Sequence, residues 1–217
     1  MKLIPFIAAA VSIFSGSPAF SALVTVDFEG ATSFAAVDNY YNGGAGPNFG
    51  ISFSPSALAL SNDGLGAGPG GTYYSGAPTN GTVFFAPDVA ATANVNSGFV
   101  GSVEFYYSSK TNLTTPTTVS VFDGFNGTGI LLGSVTLAPN ADADVVFDTW
   151  SLASVNFVGA GRSIVFGDNG GFIAYDNVTV NAVPLPAALL LFPFGAAALG
   201  AAGRRKKVAR GDQPKRL

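Results

Sequence analysis

The sequence contains no cysteine and no histidine. Without cysteine, no disulfide can staple the fold. Without histidine, the Ser–His and Cys–His pairs of nucleophilic catalysis and the imidazole metal sites are excluded as well. These are the commonest routes to hydrolytic chemistry, so we predict that the protein is not an enzyme. A pair of carboxylates that cleaves glycosides stays as an alternative, although no motif identifies such a pair.

Basic residues are almost missing from the middle of the chain. Residues 22–182 contain twelve acidic residues and only two basic ones, Lys110 and Arg162, which leaves a net charge of −10. The whole chain has a net charge of only −3, because the other basic residues lie near its ends. Such an acidic body repels nucleic acid and attracts divalent cations. We therefore expect no nucleic-acid partner.

The first residues have the order of a secretory signal peptide. Lys2 precedes an apolar run at residues 3–14, and Ser15-Gly16-Ser17-Pro18 interrupts it. Small residues then stand at Ala19 and Ser21, the two positions that a signal peptidase reads. We predict that residues 1–21 are a signal peptide, with Sec-type export machinery and signal peptidase as partners.

The C-terminal region contains a longer apolar segment. Residues 184–203 carry no charge and have about the length that spans a bilayer. The basic cluster that follows is Arg204, Arg205, Lys206 and Lys207. A transmembrane helix here would keep this cluster, and the basic tail at residues 208–217, in the cytoplasm and residues 22–182 outside it. A plain C-terminal membrane anchor is the simpler alternative.

The segment at residues 183–207 resembles the PEP-CTERM sorting signal of Gram-negative bacteria, in its VPLPA variant. The motif is Val183, Pro184, Leu185, Pro186 and Ala187, and the apolar segment and the basic cluster follow it in the order of the family. The resemblance implies processing by an exosortase and an association with exopolysaccharide and biofilm. The tail after Lys207 is longer than usual for the family.

Residues 22–182 are predicted to form one all-β domain. Short apolar–polar alternations are separated by turns rich in Gly, Asn and Asp, which is typical of an antiparallel β-sandwich with a single core. The predicted strands are residues 24–28, 49–53, 82–85, 99–107, 117–122, 130–137, 145–152, 155–158, 163–166 and 172–180. The predicted core residues are Phe28, Val103, Phe105, Val119, Val121, Val135, Trp150, Phe157, Val165 and Val178. Residues 99–180 resemble the jelly-roll domains of PEP-CTERM proteins, which in turn resemble carbohydrate-binding modules.

Three acidic residues form a candidate metal site. Asp27 and Glu29 end the first predicted strand, and Asp176 lies in the last. The carbohydrate-binding relatives commonly hold a structural Ca²⁺ between these strands, and carboxylate oxygens are the ligands that Ca²⁺ prefers. The alternative is that these are ordinary solvent-side carboxylates. Residues 168–171, Asp-Asn-Gly-Gly, are better interpreted as a hairpin turn.

Two pairs of tyrosines lie in Gly-rich segments: Tyr40, Tyr41, Tyr73 and Tyr74. They either form a sugar-binding face or cover the open edge of the sandwich. The function that we expect is a structural or adhesive surface protein of the extracellular matrix. The alternatives are a carbohydrate-binding module that grips the matrix polysaccharide and a secreted glycan-active enzyme.

Overall fold

The computed structural model describes residues 21–61, 73–79, 81–110, 116–141, 147–167 and 170–183, all within one unit, Phe20–Pro184. The predicted signal peptide up to Phe20, the motif from Pro184 onward, the apolar segment and the basic cluster lie outside these ranges. All regular secondary structure within them is β. The same ranges contain no helix with the length and apolar character needed to cross a membrane.

The described residues of the domain form nine strands. They are β1 (Ala22–Val26), β2 (Ile51–Phe53), β3 (Leu58–Ser61), β4 (Thr82–Phe85), β5 (Ala91–Ser109), β6 (Thr117–Phe122), β7 (Leu131–Leu137), β8 (Ser151–Phe166) and β9 (Ile173–Ala182). Every strand pairing is antiparallel. The path through the sheet is β3-β4-β9-β5-β8-β6-β7, while β1 pairs with β9 and β2 pairs with β5.

The two long strands, β5 and β8, run through both halves of the sheet. Residues 102–107 of β5 pair with residues 151–156 of β8, beside β9. Residues 91–94 of β5 pair with residues 163–166 of β8, beside β2 and β6. Register shifts in β5 separate the two parts, and such bulges bend strands. The sheet therefore folds over itself into a sandwich-like arrangement, which confirms the predicted all-β antiparallel class.

An aromatic core joins the two halves. Phe166 of β8 packs against Phe84 of β4 and Tyr175 of β9, with ring centroids 5.0 and 4.9 Å apart. Phe28 adds a contact to Phe84 at 4.8 Å. The structure buries these predicted core residues: Phe28, Val103, Phe105, Val119, Val121, Phe157 and Val178. Val135 is partly buried and packs against the same core.

The prediction of a single core is wrong, because a second cluster lies on the other face of β3 and β4. Leu60 and Val83 belong to it, whereas their neighbours Ala59 and Phe84 face the main core. Trp150, predicted in the main core, is partly buried against this second cluster instead. Its indole N–H donates a hydrogen bond of 2.9 Å to the carbonyl of Ser75. Both faces of β4 are thus covered, which a period-two pattern cannot indicate.

Three further predictions differ from the structure. Val165 is only half-buried, because Ile164 and Phe166 take the inward positions of β8. Residues 155–158 and 163–166, predicted as two strands, belong to one continuous strand that runs through Gly159, Ala160 and Gly161. Residues 168–169 of the predicted hairpin turn lie outside the described residues, and the described parts of the flanking strands β8 and β9 are not paired, because β5 lies between them. Strand β3, whose sequence LALS lacks β-branched residues, was missed.

Candidate functional site

The first and last strands of the described domain pair with each other. Five successive pairs run from Ala22 opposite Ala182 to Val26 opposite Val178. Asp27 and Glu29 follow the end of β1, and Asp176 lies two residues before Val178 on β9. The pairing therefore brings the three predicted acidic residues to the same end of the β1–β9 ladder.

Asp176 is fully buried and bound by backbone amides. One carboxylate oxygen accepts a hydrogen bond of 2.8 Å from the N–H of Thr79, and the other accepts one of 2.7 Å from the N–H of Asn177. Its side chain has an exposed fraction of 0%, so it is not a solvent-side carboxylate. The pKa of Asp176 is raised to about 7, chiefly because burial disfavours the charged carboxylate. The hydrogen bonds from the two backbone amides lower this pKa, whereas the nearby carboxylates of Glu29 and Asp27 raise it.

Glu29 and Asp27 are half-buried and are held by other contacts. Glu29 accepts a hydrogen bond of 3.0 Å from the N–H of Thr82, and its carboxylate lies against Gly81. A Cβ on Gly81 would collide with that carboxylate, so this close approach requires glycine. Asp27 accepts a hydrogen bond from the backbone N–H of Glu29 at 3.2 Å and one from the Tyr41 hydroxyl at 3.5 Å.

These residues do not form a calcium site as they are placed. No group of three or more metal-ligating side chains in the described part of the chain is arranged to hold a metal ion. All three carboxylates already accept backbone N–H groups, but each keeps lone pairs free, and a carboxylate offers about four acceptor positions. A shared cation would require the three carboxylates to lie closer together than they do here. Calcium at Asp27, Glu29 and Asp176 therefore stays a prediction.

The four tyrosines do not form one face. Tyr41 and Tyr74 each have an exposed fraction of 0%, so neither ring can stack on a sugar. Burial and the nearby Asp27 carboxylate raise the pKa of Tyr41. Tyr40 is half-buried and donates a hydrogen bond of 3.2 Å to the carbonyl of Glu29, while the half-buried Tyr73 packs on Phe34. The prediction of a sugar-binding face is wrong for Tyr41 and Tyr74, because their rings fill the two hydrophobic clusters.

A row of asparagines lies on the outer face of the sheet around residues 91–96 of β5, where this strand pairs with β2 and β8. Asn94 and Asn96 project from β5, and the alternating Ala93 and Val95 point into the core. We call the row the asparagine ridge, and its members are Asn39, Asn42, Asn94, Asn96 and Asn126. The exposed Phe125 ring and Arg162 lie next to it. Sequence reasoning missed the ridge, although the alternation ATANVN at residues 91–96 was a signal for its central part.

Comparisons with known proteins give distant structural similarities. No protein-family model and no curated protein matches the sequence. The K2 cleaved adhesin domain of Lys-gingipain is 15% identical over 73% of this chain and 99% of that chain, with a TM-score of 0.47. The K1 cleaved adhesin domain from Porphyromonas gingivalis W83 is 13% identical over 75% of this chain and 99% of that chain, with a TM-score of 0.41. CsCBM6-3 from Clostridium stercorarium, in complex with cellobiose, is 18% identical over 60% of this chain and 86% of that chain, with a TM-score of 0.37. Because these identities and TM-scores are low, we infer function from the residues of this chain.

Proposed function

We propose that the protein is exported, processed at both ends and sorted by an exosortase to the cell surface or the extracellular matrix. Residues 22–182 would act there as a structural or adhesive domain associated with exopolysaccharide. The observation that carries the proposal is the pairing of Ala22 with Ala182. The predicted signal peptide ends one residue before this pair, and the sorting motif begins one residue after it.

Cleavage at these two boundaries would leave every described strand whole. The last described residue, Val183, donates its N–H to the carbonyl of Gly98 at 3.0 Å, so the first residue of the motif still contacts the domain. The β1–β9 ladder ties the two ends of the domain together without a disulfide. Removal of both flanking segments would also remove most basic residues and leave the acidic body with a charge of −10. High net charge favours solubility outside the cell.

Intact-mass analysis tests the proposal. The protein would be isolated from a Gram-negative host that carries an exosortase and from the same host with the exosortase gene deleted. We expect the first sample to begin at Ala22 or Leu23 and to end near residues 183–187. We expect the second sample to keep residues 188–217. Identical C-terminal ends in the two samples would contradict sorting by exosortase.

Carbohydrate binding is the second candidate function, and the asparagine ridge favours it. The ridge offers neutral donors and acceptors beside the exposed Phe125 ring, and ligand sites combine aromatic side chains with a few polar groups that fix the orientation of the ligand. An enzymatic role has less support in the described residues. Asp176, the acidic residue with the most strongly shifted pKa, is buried and has no access to a substrate.

A further inference from the structure

We propose that the asparagine ridge, together with Phe125 and Arg162, binds an uncharged polysaccharide. The inference rests on the proposed function, because it names the matrix component that the exported domain would hold. It concerns a different place from the tyrosine segments and the acidic residues discussed above. The ridge lies on the outer face of β2, β5 and β8, where two loops meet over the N-terminal part of β5.

Hydrogen bonds between side chains hold the two loops on β5. The Asn94 amide donates to the Oδ1 atom of Asn126 at 2.8 Å, and the backbone N–H of Asn126 donates back to Asn94 at 2.7 Å. The Asn96 amide donates to the Oδ1 atom of Asn42 at 2.8 Å, and Asn42 donates to Asn39 at 3.3 Å. The amides are therefore pre-oriented before any ligand arrives, which lowers the entropic cost of binding.

These amides keep hydrogen-bonding capacity for a ligand. Each asparagine side chain has two N–H donors and an oxygen with two lone pairs. Asn94 uses one donor and one lone pair in the contacts above, and the Asn96 amide uses one donor. Asn96 and Asn126 are exposed and Asn94 is half-buried, so the remaining donors and acceptors can reach solvent. Sugar hydroxyls both donate and accept, so neighbouring hydroxyls of one sugar ring match an amide that offers one of each.

Phe125 supplies the apolar part of the surface. Its side chain is 41% exposed in the loop between β6 and β7. Contact of this apolar surface with water is unfavourable, so a ligand that covers it gains free energy. The Arg162 guanidinium lies 5.3 Å from the centre of its ring, and Arg162 also donates a hydrogen bond of 3.0 Å to the carbonyl of Asn96. Arg162 thus links the ring to the ridge. The C–H face of a sugar ring can cover the exposed part of the phenylalanine.

The charge distribution selects an uncharged ligand. Residues 22–182 have a net charge of −10, so a polysaccharide rich in uronate would be repelled over the whole approach. Arg162 is the single basic residue at the ridge, and Lys110, the other basic residue of the domain, lies over the Phe147 ring at 4.8 Å. One guanidinium already engaged with a ring and a carbonyl does not offset that repulsion.

The ridge can be altered without loss of the fold. Its side-chain hydrogen bonds are exposed to water, and an exposed hydrogen bond contributes little net stability, about 1 kcal/mol or less. Substitutions there should therefore report on binding and not on folding. This property separates the ridge from the aromatic core, where truncation leaves a cavity and destabilises the domain.

Affinity gel electrophoresis tests the proposal on the secreted protein. Native gels would contain glucomannan, dextran or hydroxyethylcellulose as neutral polysaccharides, and alginate as the uronate polymer. We expect at least one neutral polymer to retard the wild-type protein and alginate to leave it unretarded. Phe125→Ala and Asn96→Ala should each raise the apparent dissociation constant about tenfold and so reduce the retardation. Truncation of a residue at the centre of an interface typically has an effect of this size.

Two matched variants control for nonspecific effects. Asn156→Ala removes an exposed asparagine of β8 outside the ridge, and Phe34→Ala removes a phenylalanine that is 48% exposed elsewhere. Both should keep wild-type retardation, and all four variants should keep a wild-type circular dichroism spectrum. The proposal is overturned if no neutral polymer retards the protein, if alginate is preferred, or if the control variants lose binding as strongly as the ridge variants. None of these results would change the mass analysis of the two ends, so failure here is distinct from failure of the sorting proposal.

Discussion

Asp176 is an acidic residue with no exposed surface in the described structure. Its buried carboxyl has a raised pKa, and it connects β9 to the segment at residues 73–79 through the N–H of Thr79. Its neighbour Asn177 adopts a left-handed backbone with φ of 50° and accepts a hydrogen bond of 2.7 Å from the Thr79 hydroxyl. Asparagine tolerates this conformation better than most residues. Both side chains can therefore accept hydrogen bonds from Thr79.

The raised pKa predicts a falling stability with rising pH. Between pH 3.8 and about pH 7 the folded protein holds a proton on Asp176 that the unfolded chain has lost. The free energy of unfolding should therefore decrease across this window. Above about pH 7, Asp176 is deprotonated in both states, so its contribution no longer changes with pH. Asp176→Asn removes this titration. The stability of the variant relative to the wild type should therefore increase as the pH rises from 4 to about 7.

Urea unfolding in the presence of chelator measures this effect across the pH range. The carboxylates that face Asp176, Glu29 and Asp27, are kept in both proteins, so the difference between them isolates Asp176. Asp88→Asn, which removes an exposed carboxylate, controls for the loss of one acidic charge. A difference between wild type and Asp176→Asn that is constant with pH would contradict the raised pKa.

Two valines on neighbouring strands test the assignment of the sheet faces. Val121 of β6 is fully buried opposite Ile164, whereas Val165 of β8 is half-buried opposite Ser120. Val121→Ala should lower the free energy of unfolding by about 2 kcal/mol, because it removes two buried methyl groups and leaves a small cavity. Val165→Ala should change it by about 0.5 kcal/mol or less. Chemical denaturation measures both, and equal losses would contradict the assignment.

At the scale of elements, the closure of β1 on β9 organises the acidic site. The ladder places the end of β1 beside Asp176, and the segments at residues 73–79 and 81–82 supply the backbone N–H groups. We propose that Ca²⁺ strengthens this closure by drawing Asp27 and Glu29 towards Asp176. A cation would offset the repulsion between three carboxylates at an end of the sheet that no disulfide can secure.

The calcium proposal predicts a chelator-sensitive melting temperature. If Ca²⁺ binds only the folded domain, a hundredfold excess over its dissociation constant adds about 2.7 kcal/mol of stability. The gain should increase from pH 6 to pH 8, because the cation competes with the proton on Asp176. Thermal melts of the mature domain with Ca²⁺ and with chelator measure the effect.

Asp176→Asn should lose the response to Ca²⁺, and Asp88→Asn should keep it. If the wild-type midpoint is the same with Ca²⁺ and with chelator, the calcium proposal is contradicted, and the hydrogen bonds described above hold the three carboxylates without a cation. If the wild type responds but Asp176→Asn responds equally, the cation binds at another place.

At the scale of the whole molecule, the basic residues after the apolar segment should control sorting. Positive charges keep a helix end in the cytoplasm, so replacement of Arg204, Arg205, Lys206 and Lys207 by glutamine should impair membrane retention and processing. Immunoblots of membrane, surface and medium fractions measure the result. Substitution of Lys215 and Arg216 by glutamine is the control and should have little effect. Normal processing of the first variant would contradict the role of the cluster.

Local patterns in the sequence were sufficient for the fold class and much of the core. Strand β6 was predicted with its observed bounds, and alternation placed Val119 and Val121 inward. The reason is that side chains alternate between the two faces of a strand, so a half-buried strand carries its own pattern. Asp27, Glu29 and Asp176 were placed on the first and last predicted strands, and these strands do pair, whereas a metal ion between the three residues stays a prediction.

Only the tertiary structure decided which faces are covered and which distant residues meet. Trp150 and Tyr74 pack in a second cluster because segments far apart in sequence cover the outer face of β4. Asn94 meets Asn126 and Asn96 meets Asn42 across separations of 32 and 54 residues. The buried carboxylate of Asp176 likewise accepts a hydrogen bond from Thr79, a residue 97 positions away. Alternation reports the environment of one strand, whereas these contacts depend on how loops and strands assemble in three dimensions.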